Sequence, residues 1–165
     1  FYNAKNKKLE WHNLIDIYSK LLAVINYINS MGYIYLDIKT QNILYDGNIF
    51  KLIDYGLIKV PGIYGRLGSR QTMSPEQARG SYVDFSADVW GIGSILFLLL
   101  TRKFPYDFVD SEKYPQIDMQ PKNIFDLVDI PKWLGNDLMS MLSSEAKNRP
   151  STSELIISFN KYNKL

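Results

Sequence analysis

Tyr35-Leu36-Asp37-Ile38-Lys39-Thr40-Gln41-Asn42 sets a lysine two positions after an aspartate and an asparagine five positions after it, and Asp54-Tyr55-Gly56 follows shortly. These are the parts of a phosphoryl-transfer site. One carboxylate accepts the proton of an attacking hydroxyl. A cation offsets charge on the transferred group. An amide and a second carboxylate hold a metal that bridges nucleotide phosphates.

The flanking pattern places this stretch. Upstream, Leu14, Ile17, Leu21, Val24, Ile25 and Ile28 recur at helical spacing, with Asn13 as the expected N-cap and Gly32 as the stop. Tyr33–Tyr35, Ile43–Tyr45 and Ile49–Ile53 read as short strands, and Asp46-Gly47 as the turn of a hairpin. The motif therefore falls on a loop between short strands, above a helix. Further on, Pro61–Gly68 is a glycine-rich loop; Gly62, Gly65 and Gly68 do not form a G-x-G-x-x-G phosphate cradle. Asp84–Thr101 reads as the most buried helix, and residues 102–123, with Pro105, Pro115 and Pro121, as irregular surface chain. Pro131 opens another helix, facing Trp133, Leu134, Leu138, Met141 and Leu142 inward. Ser151-Thr152-Ser153-Glu154 is a capping box for the last one, which carries Leu155, Ile156 and Phe159. Trp11, Trp90 and Trp133 are expected in the core, and His12, the only histidine, on the surface.

With 165 residues and 46% hydrophobic content, the chain suits one domain with a packed core. Nineteen basic against 17 acidic residues give a net charge of +2, no case for nucleic-acid binding by bulk charge. There is no cysteine, which excludes a disulfide scaffold, a zinc-thiolate site and a thiol nucleophile and fits an intracellular, cytoplasmic location. The longest apolar stretch, Ile92–Leu100, is about half the ~20 residues of a membrane span. Residues 1–12, with Lys5, Lys7 and Lys8, read as a lead-in with a solvated basic face. The chain starts with Phe1, so a fragment or a processed segment is expected.

Five motifs run in series: Asp37-x-Lys39-x-x-Asn42, Asp54-x-Gly56, Ser74-Pro75-Glu76, Asp88-x-Trp90-x-x-Gly93 and Arg149-Pro150. Together they resemble the C-terminal lobe of a eukaryotic-type protein kinase, from about Asn13 to the end. The resemblance implies a mainly α (α+β) fold, a helical bundle whose short β-hairpins carry the active-site loops. It implies a serine/threonine kinase that moves the γ-phosphoryl group of ATP, with Mg2+, to a protein hydroxyl. Tyr35-Leu36-Asp37 would stand at the His-Arg-Asp position. Asp37 would then be the base, Lys39 the γ-phosphate contact, Asn42 and Asp54 the Mg2+ ligands, and Leu44 and Ile53 the floor under adenine. Lys39 follows the serine/threonine pattern; tyrosine kinases usually carry Ala there. Glu76 would pair with Arg149, Asp88 would cap the backbone of the catalytic loop, and Ser69 would bond Asp37 and Lys39.

The departures carry information too. Leu36 stands for an arginine that holds a phosphate on the activation loop. Phosphorylation of Tyr64, Ser69 or Thr72 is accordingly not expected to be the main switch, although Lys59, Arg66 and Arg70 offer substitute partners. Thr40 replaces a proline and Thr72 a tyrosine. No glycine-rich phosphate loop, Val-Ala-Ile-Lys strand or partner-glutamate helix is present. An N-lobe is expected upstream of Phe1, and these 165 residues alone should show little or no kinase activity. The competing reading is a pseudokinase-like scaffold or degenerate C-lobe remnant. A small-molecule phosphotransferase ranks lower, because such enzymes usually lack the lysine after the base and the Glu76/Arg149 pairing.

Overall fold

The computed structural model describes residues 10–109 and 113–162. The described residues form five α-helices and one two-stranded hairpin: α1 Trp11–Ser30, β1 Ile43–Tyr45, β2 Phe50–Leu52, α2 Pro75–Arg79, α3 Ser86–Thr101, α4 Lys132–Met141 and α5 Thr152–Tyr162. Single 3-10 turns lie at Thr40–Asn42, Pro115–Ile117, Ile124–Asp126 and Ala146–Asn148. The mainly helical architecture with a short hairpin is the one expected from the sequence. Residues 1–9, including Lys5, Lys7 and Lys8, lie outside the described residues.

Helix α1 turns Leu14, Ile17, Leu21 and Ile25 into a core shared with Trp90, Ile92 and Ile95 of α3, Leu134 and Leu138 of α4 and Leu155 of α5. Apolar residues three and four apart fall on one helix face, which is why these segments bury as they do. Helix α3 differs: nearly every residue from Ala87 to Phe97 is buried, so it is apolar all round and runs through the middle of the lobe. Its N-terminus is two residues later than expected, because Asp84 stays outside and accepts a bond from Ser86 N at 2.9 Å.

Other sequence expectations are corrected as well. Helix α1 begins at Trp11, ahead of Asn13, with Glu10 at the cap position and no side-chain cap bond. Asn13 instead accepts the Tyr45 hydroxyl at 3.0 Å, tying α1 to β1. Trp11 is exposed rather than in the core, because it sits on the first turn where α1 has not yet reached its packing partners. Tyr33–Tyr35 forms only one antiparallel bridge, Ile34 to Lys59. Its backbone donors are diverted: Tyr35 N goes to a side chain, Asp88, so a ladder cannot continue.

The expected hairpin forms, its second strand shortened from Ile49–Ile53 to Phe50–Leu52, with Ile43 opposite Leu52 and Tyr45 opposite Phe50. Asp46 builds its turn by accepting from Asn48 N at 2.9 Å and Ile49 N at 2.8 Å, which also takes Ile49 out of the strand. Alternation puts Ile43 and Leu52 into the core and leaves Leu44 and Ile53 on the open face. The capping box at Ser151 is present: Glu154 N donates to Ser151 Oγ at 3.2 Å and Ser151 N to Glu154 Oε2 at 2.7 Å. No helix among the described residues is long and apolar enough to cross a membrane.

Candidate active site

The loop from Tyr35 to Asn42 is fixed from beneath by Asp88, in the first turn of α3. Its buried carboxylate accepts Tyr35 N at 2.9 Å, Leu36 N at 2.8 Å and Asn29 Nδ2 at 2.9 Å. Burial pushes this carboxyl above its ordinary value, and the three N–H groups pull against that push. Leu36 adopts φ +69, where a side chain with a Cβ is strained by about 1–3 kcal/mol. The paired bonds to Asp88 hold that kink, and the kink turns Asp37 toward the cluster above.

Asp37 is 5% exposed. Its Oδ2 accepts Lys39 Nζ at 2.5 Å and Asn42 Nδ2 at 3.1 Å, and its Oδ1 accepts Ser69 Oγ at 2.7 Å. Asn42 Nδ2 also donates to the Asp37 carbonyl at 3.0 Å. Burial alone would raise the Asp37 carboxyl; the Lys39 ammonium, the Ser69 hydroxyl and the Asn42 amide outweigh it and hold it below the usual carboxylate value.

Asp54 lies apart from this side-chain cluster. It is exposed, has φ +63 and accepts from Gly56 N at 3.2 Å through Oδ1, a local turn that an aspartate tolerates well. Its link to the rest is through backbone: Ile53 N donates to Asn42 O at 2.8 Å, and the Tyr35 hydroxyl donates to Ile53 O. The Tyr35 hydroxyl thus ties the two loops, and the Tyr35 ring meets Tyr55 edge-on at 5.8 Å. Leu44 and Ile53 share the exposed hairpin face, 51% and 36% exposed.

The donor set suits a magnesium nucleotide. Asn42 commits its nitrogen to Asp37, so Oδ1 is the atom that a hard cation would take. Asp54 keeps Oδ2 outside its local turn. No cluster of three or more His, Cys, Asp or Glu side chains occurs among the described residues. A hard cation held by one carboxylate and one amide needs further oxygens, as Mg2+ bound with nucleotide phosphates has. Beside Asp37 opens a cleft of about 580 Å3, lined by Lys39, Asn42, Ser69, Thr72, Leu98 and Phe104 among others.

Two surrounding features were legible only in part. Glu76 and Arg149 form the expected pair in bidentate geometry, Nη1 to Oε1 at 2.6 Å and Nη2 to Oε2 at 2.8 Å. Gln77, which the sequence reading passed over, donates Nε2 to Leu67 O at 2.7 Å and Leu36 O at 3.4 Å. Its signal was the capping box Ser74-x-x-Gln77, in which Ser74 N donates back to Gln77 Oε1 at 3.0 Å. Gly68 completes this junction. Its φ is +108, and a Cβ there would come within 2.5 Å of Leu36 O, so the chain can pass there only as glycine.

A model described as the protein kinase domain matches residues 1–159. A "probable serine/threonine-protein kinase" of Clostridium acetobutylicum is 29% identical over 165 residues, covering 93% of this chain and 25% of that protein. The "probable serine/threonine-protein kinase PknB" of Lactococcus lactis is 30% identical over 159 residues, covering 90% of this chain and 25% of its own. The chain thus spans about a quarter of the length of the curated relatives it matches. The solved structure of the Cydia pomonella granulovirus kinase PK-1 is similar in fold, with a TM-score of 0.80 at 22% identity over 95% of this chain and 61% of that one.

Proposed function

The chain belongs to the protein kinase domain family, and from that premise we propose that it is the C-lobe of a protein serine/threonine kinase, residues 1–165, whose nucleotide site an N-lobe completes. The observation that carries this reading is the buried Asp37 carboxylate, held by Lys39, Asn42 and Ser69, three residues that line the adjoining cleft, on a loop anchored from below by Asp88. A surface aspartate with no task has no need of three side-chain donors and a strained backbone beneath it.

Each residue then has a role. ATP with Mg2+, when bound, supplies the transferable phosphoryl group. Asp37 orients the serine or threonine hydroxyl of a protein substrate in the cleft and takes its proton. Lys39, within reach of the same carboxylate, offsets charge on the γ-phosphate side. Asn42 Oδ1 and Asp54 hold the metal, and Leu44 and Ile53 offer the apolar floor for adenine. Their exposure supports this last role, since a hairpin face left open among the described residues is available for a flat ring.

The test uses the intact protein with Mg-ATP and a protein substrate. Asp37→Asn should lower kcat by about 10²–10⁴-fold. Asp54→Asn should abolish the magnesium-dependent thermal shift given by ATP. Phosphorylation that survives Asp37→Asn unchanged would overturn the assignment of the base. A wild-type protein with no Mg-ATP shift would favour the non-catalytic scaffold instead.

A further inference from the structure

The segment Arg66–Arg79, which delivers Ser69 to Asp37, is gripped from its outer side by the chain at 113–117. Gln116, 1% exposed, donates from Nε2 to Arg70 O at 3.1 Å and to Met73 O at 3.2 Å. These two carbonyls bracket a turn in which Thr72 N and Met73 N both return to Ser69 O at 2.9 Å. Lys113 O accepts Arg70 Nε at 3.0 Å and Arg70 Nη2 at 2.6 Å, and Ile117 O accepts Arg79 Nη2 at 2.7 Å. The rings reinforce the grip: Arg66 lies over Tyr114 at 5.2 Å, and Arg70 over Phe108 at 5.1 Å.

The Gln116 amide is placed for its donors. Its Oε1 is buried and finds no partner among the described residues. An orphaned buried acceptor is a cost, and space-filling alone would be met better by an apolar side chain. A glutamine retained at such a site is explained by the two carbonyls that its nitrogen holds together. Reversing the amide would set Oε1 against both carbonyls, so the orientation is fixed by chemistry.

We propose that Gln116 is a positioning residue of the phosphoryl-transfer site: it closes the Ser69–Met73 turn and so keeps the Ser69 hydroxyl on Asp37. This rests on the kinase reading for its effect on rate, though not for its effect on the turn. Three forms of the intact protein separate the two: wild type, Gln116→Met, which keeps volume and loses both donors, and Gln116→Glu, which sets a carboxylate against the two carbonyls. Amide hydrogen exchange over residues 69–74 should speed by about tenfold or more in Gln116→Met and further in Gln116→Glu, with α3 unchanged. The kcat should fall by about 10–100-fold while KM for ATP stays constant. Wild-type exchange over 69–74 in Gln116→Met would overturn the proposal, as would equal loosening of α3, which marks a merely structural role. Loosening of the turn with kcat unchanged would also overturn it. If the wild-type protein shows no kinase activity, the functional reading fails, and exchange over 69–74 still decides whether Gln116 closes the turn.

Discussion

At the scale of single residues, the resting site is self-neutralised. Lys39, the cation assigned to a phosphate, lies against the carboxylate assigned to a hydroxyl. A carboxylate held below its ordinary value is a weak base, so this pairing suits a group that waits for substrate rather than one that reacts with water. The sign follows directly. Because its folded value lies below the unfolded 3.8, Asp37 adds stability above that pH and loses it as the pH falls through the folded value. Removing the ammonium leaves burial with less to oppose it. In Lys39→Ala the Asp37 carboxyl should therefore titrate at a higher pH than in wild type, read by carboxyl-carbon NMR; a titration that stays put would show that Lys39 does not set it. Asp37, Lys39 and Asn42 were readable as a group because they share one short loop. Ser69, 32 positions away, was placed on Asp37 only through the family resemblance, and the Tyr35 hydroxyl on Ile53 not at all, since nothing local in the sequence shows which carbonyl a tyrosine meets.

At the scale of elements, the consequence of Leu36 becomes visible. In place of a cation waiting for a phosphate, it joins Ile34, Val83 and Ala87 in a small buried cluster against which Ile63 and Leu67 of the activation loop pack. Gln77 adds its bonds to Leu67 and Leu36 carbonyls, and the Ile63–Val83 bridge fastens the loop start. The loop is docked by apolar contact, by amides and by the Arg66 and Arg70 side chains on backbone carbonyls and rings. Of its candidate hydroxyls, Thr72 is buried, Ser69 is already bonded to Asp37, and Tyr64 stands 70% exposed, edge-on to Tyr82. Phosphatase treatment of the intact protein should accordingly leave the rate of the proposed phosphoryl transfer unchanged; a large drop in rate after dephosphorylation would sink this account. The apolar setting of Leu36 was not foreseeable from the sequence, because Leu36, Ile63 and Leu67 carry no periodicity that ties one to another. The same limit explains the lost strand at 33–35. Its composition is β-type, yet its backbone donor goes to Asp88, 53 positions on. The hairpin and the capping box at Ser151 were legible because their signals are local.

At the scale of the whole lobe, one ion pair joins regions that hydrophobic packing leaves separate. Glu76 lies in α2 and Arg149 just before α5, 73 positions apart. The Arg149 side chain is fully buried. Beyond Glu76, its Nε donates to Ser143 O at 2.8 Å, Nη1 to Ser86 O at 3.0 Å and Nη2 to Ser144 O at 3.5 Å, so all five N–H groups have acceptors. The guanidinium also stacks on Trp90 of α3 at 4.9 Å. The sequence order of Ser74-Pro75-Glu76 and Arg149-Pro150 was enough to expect the pair. The carbonyls of Ser86 and Ser143 were not foreseeable, since backbone acceptors leave no mark in a sequence. The bonds to them decide the energetics, because they make the arginine a hub whose charge cannot leave when its partner goes. Glu76→Ala should therefore cost about 3–5 kcal/mol in urea denaturation, as an uncompensated buried cation does. Glu76→Ala with Arg149→Met should cost less than the sum of the two single changes, because the second removes the charge that the first exposes. Strict additivity, or a single-change cost below about 1 kcal/mol, the range of an exposed ion pair, would mean that the pair is solvated and that α2 is held by its other bonds, Gln77 to Leu67 O and Arg79 to Ile117 O.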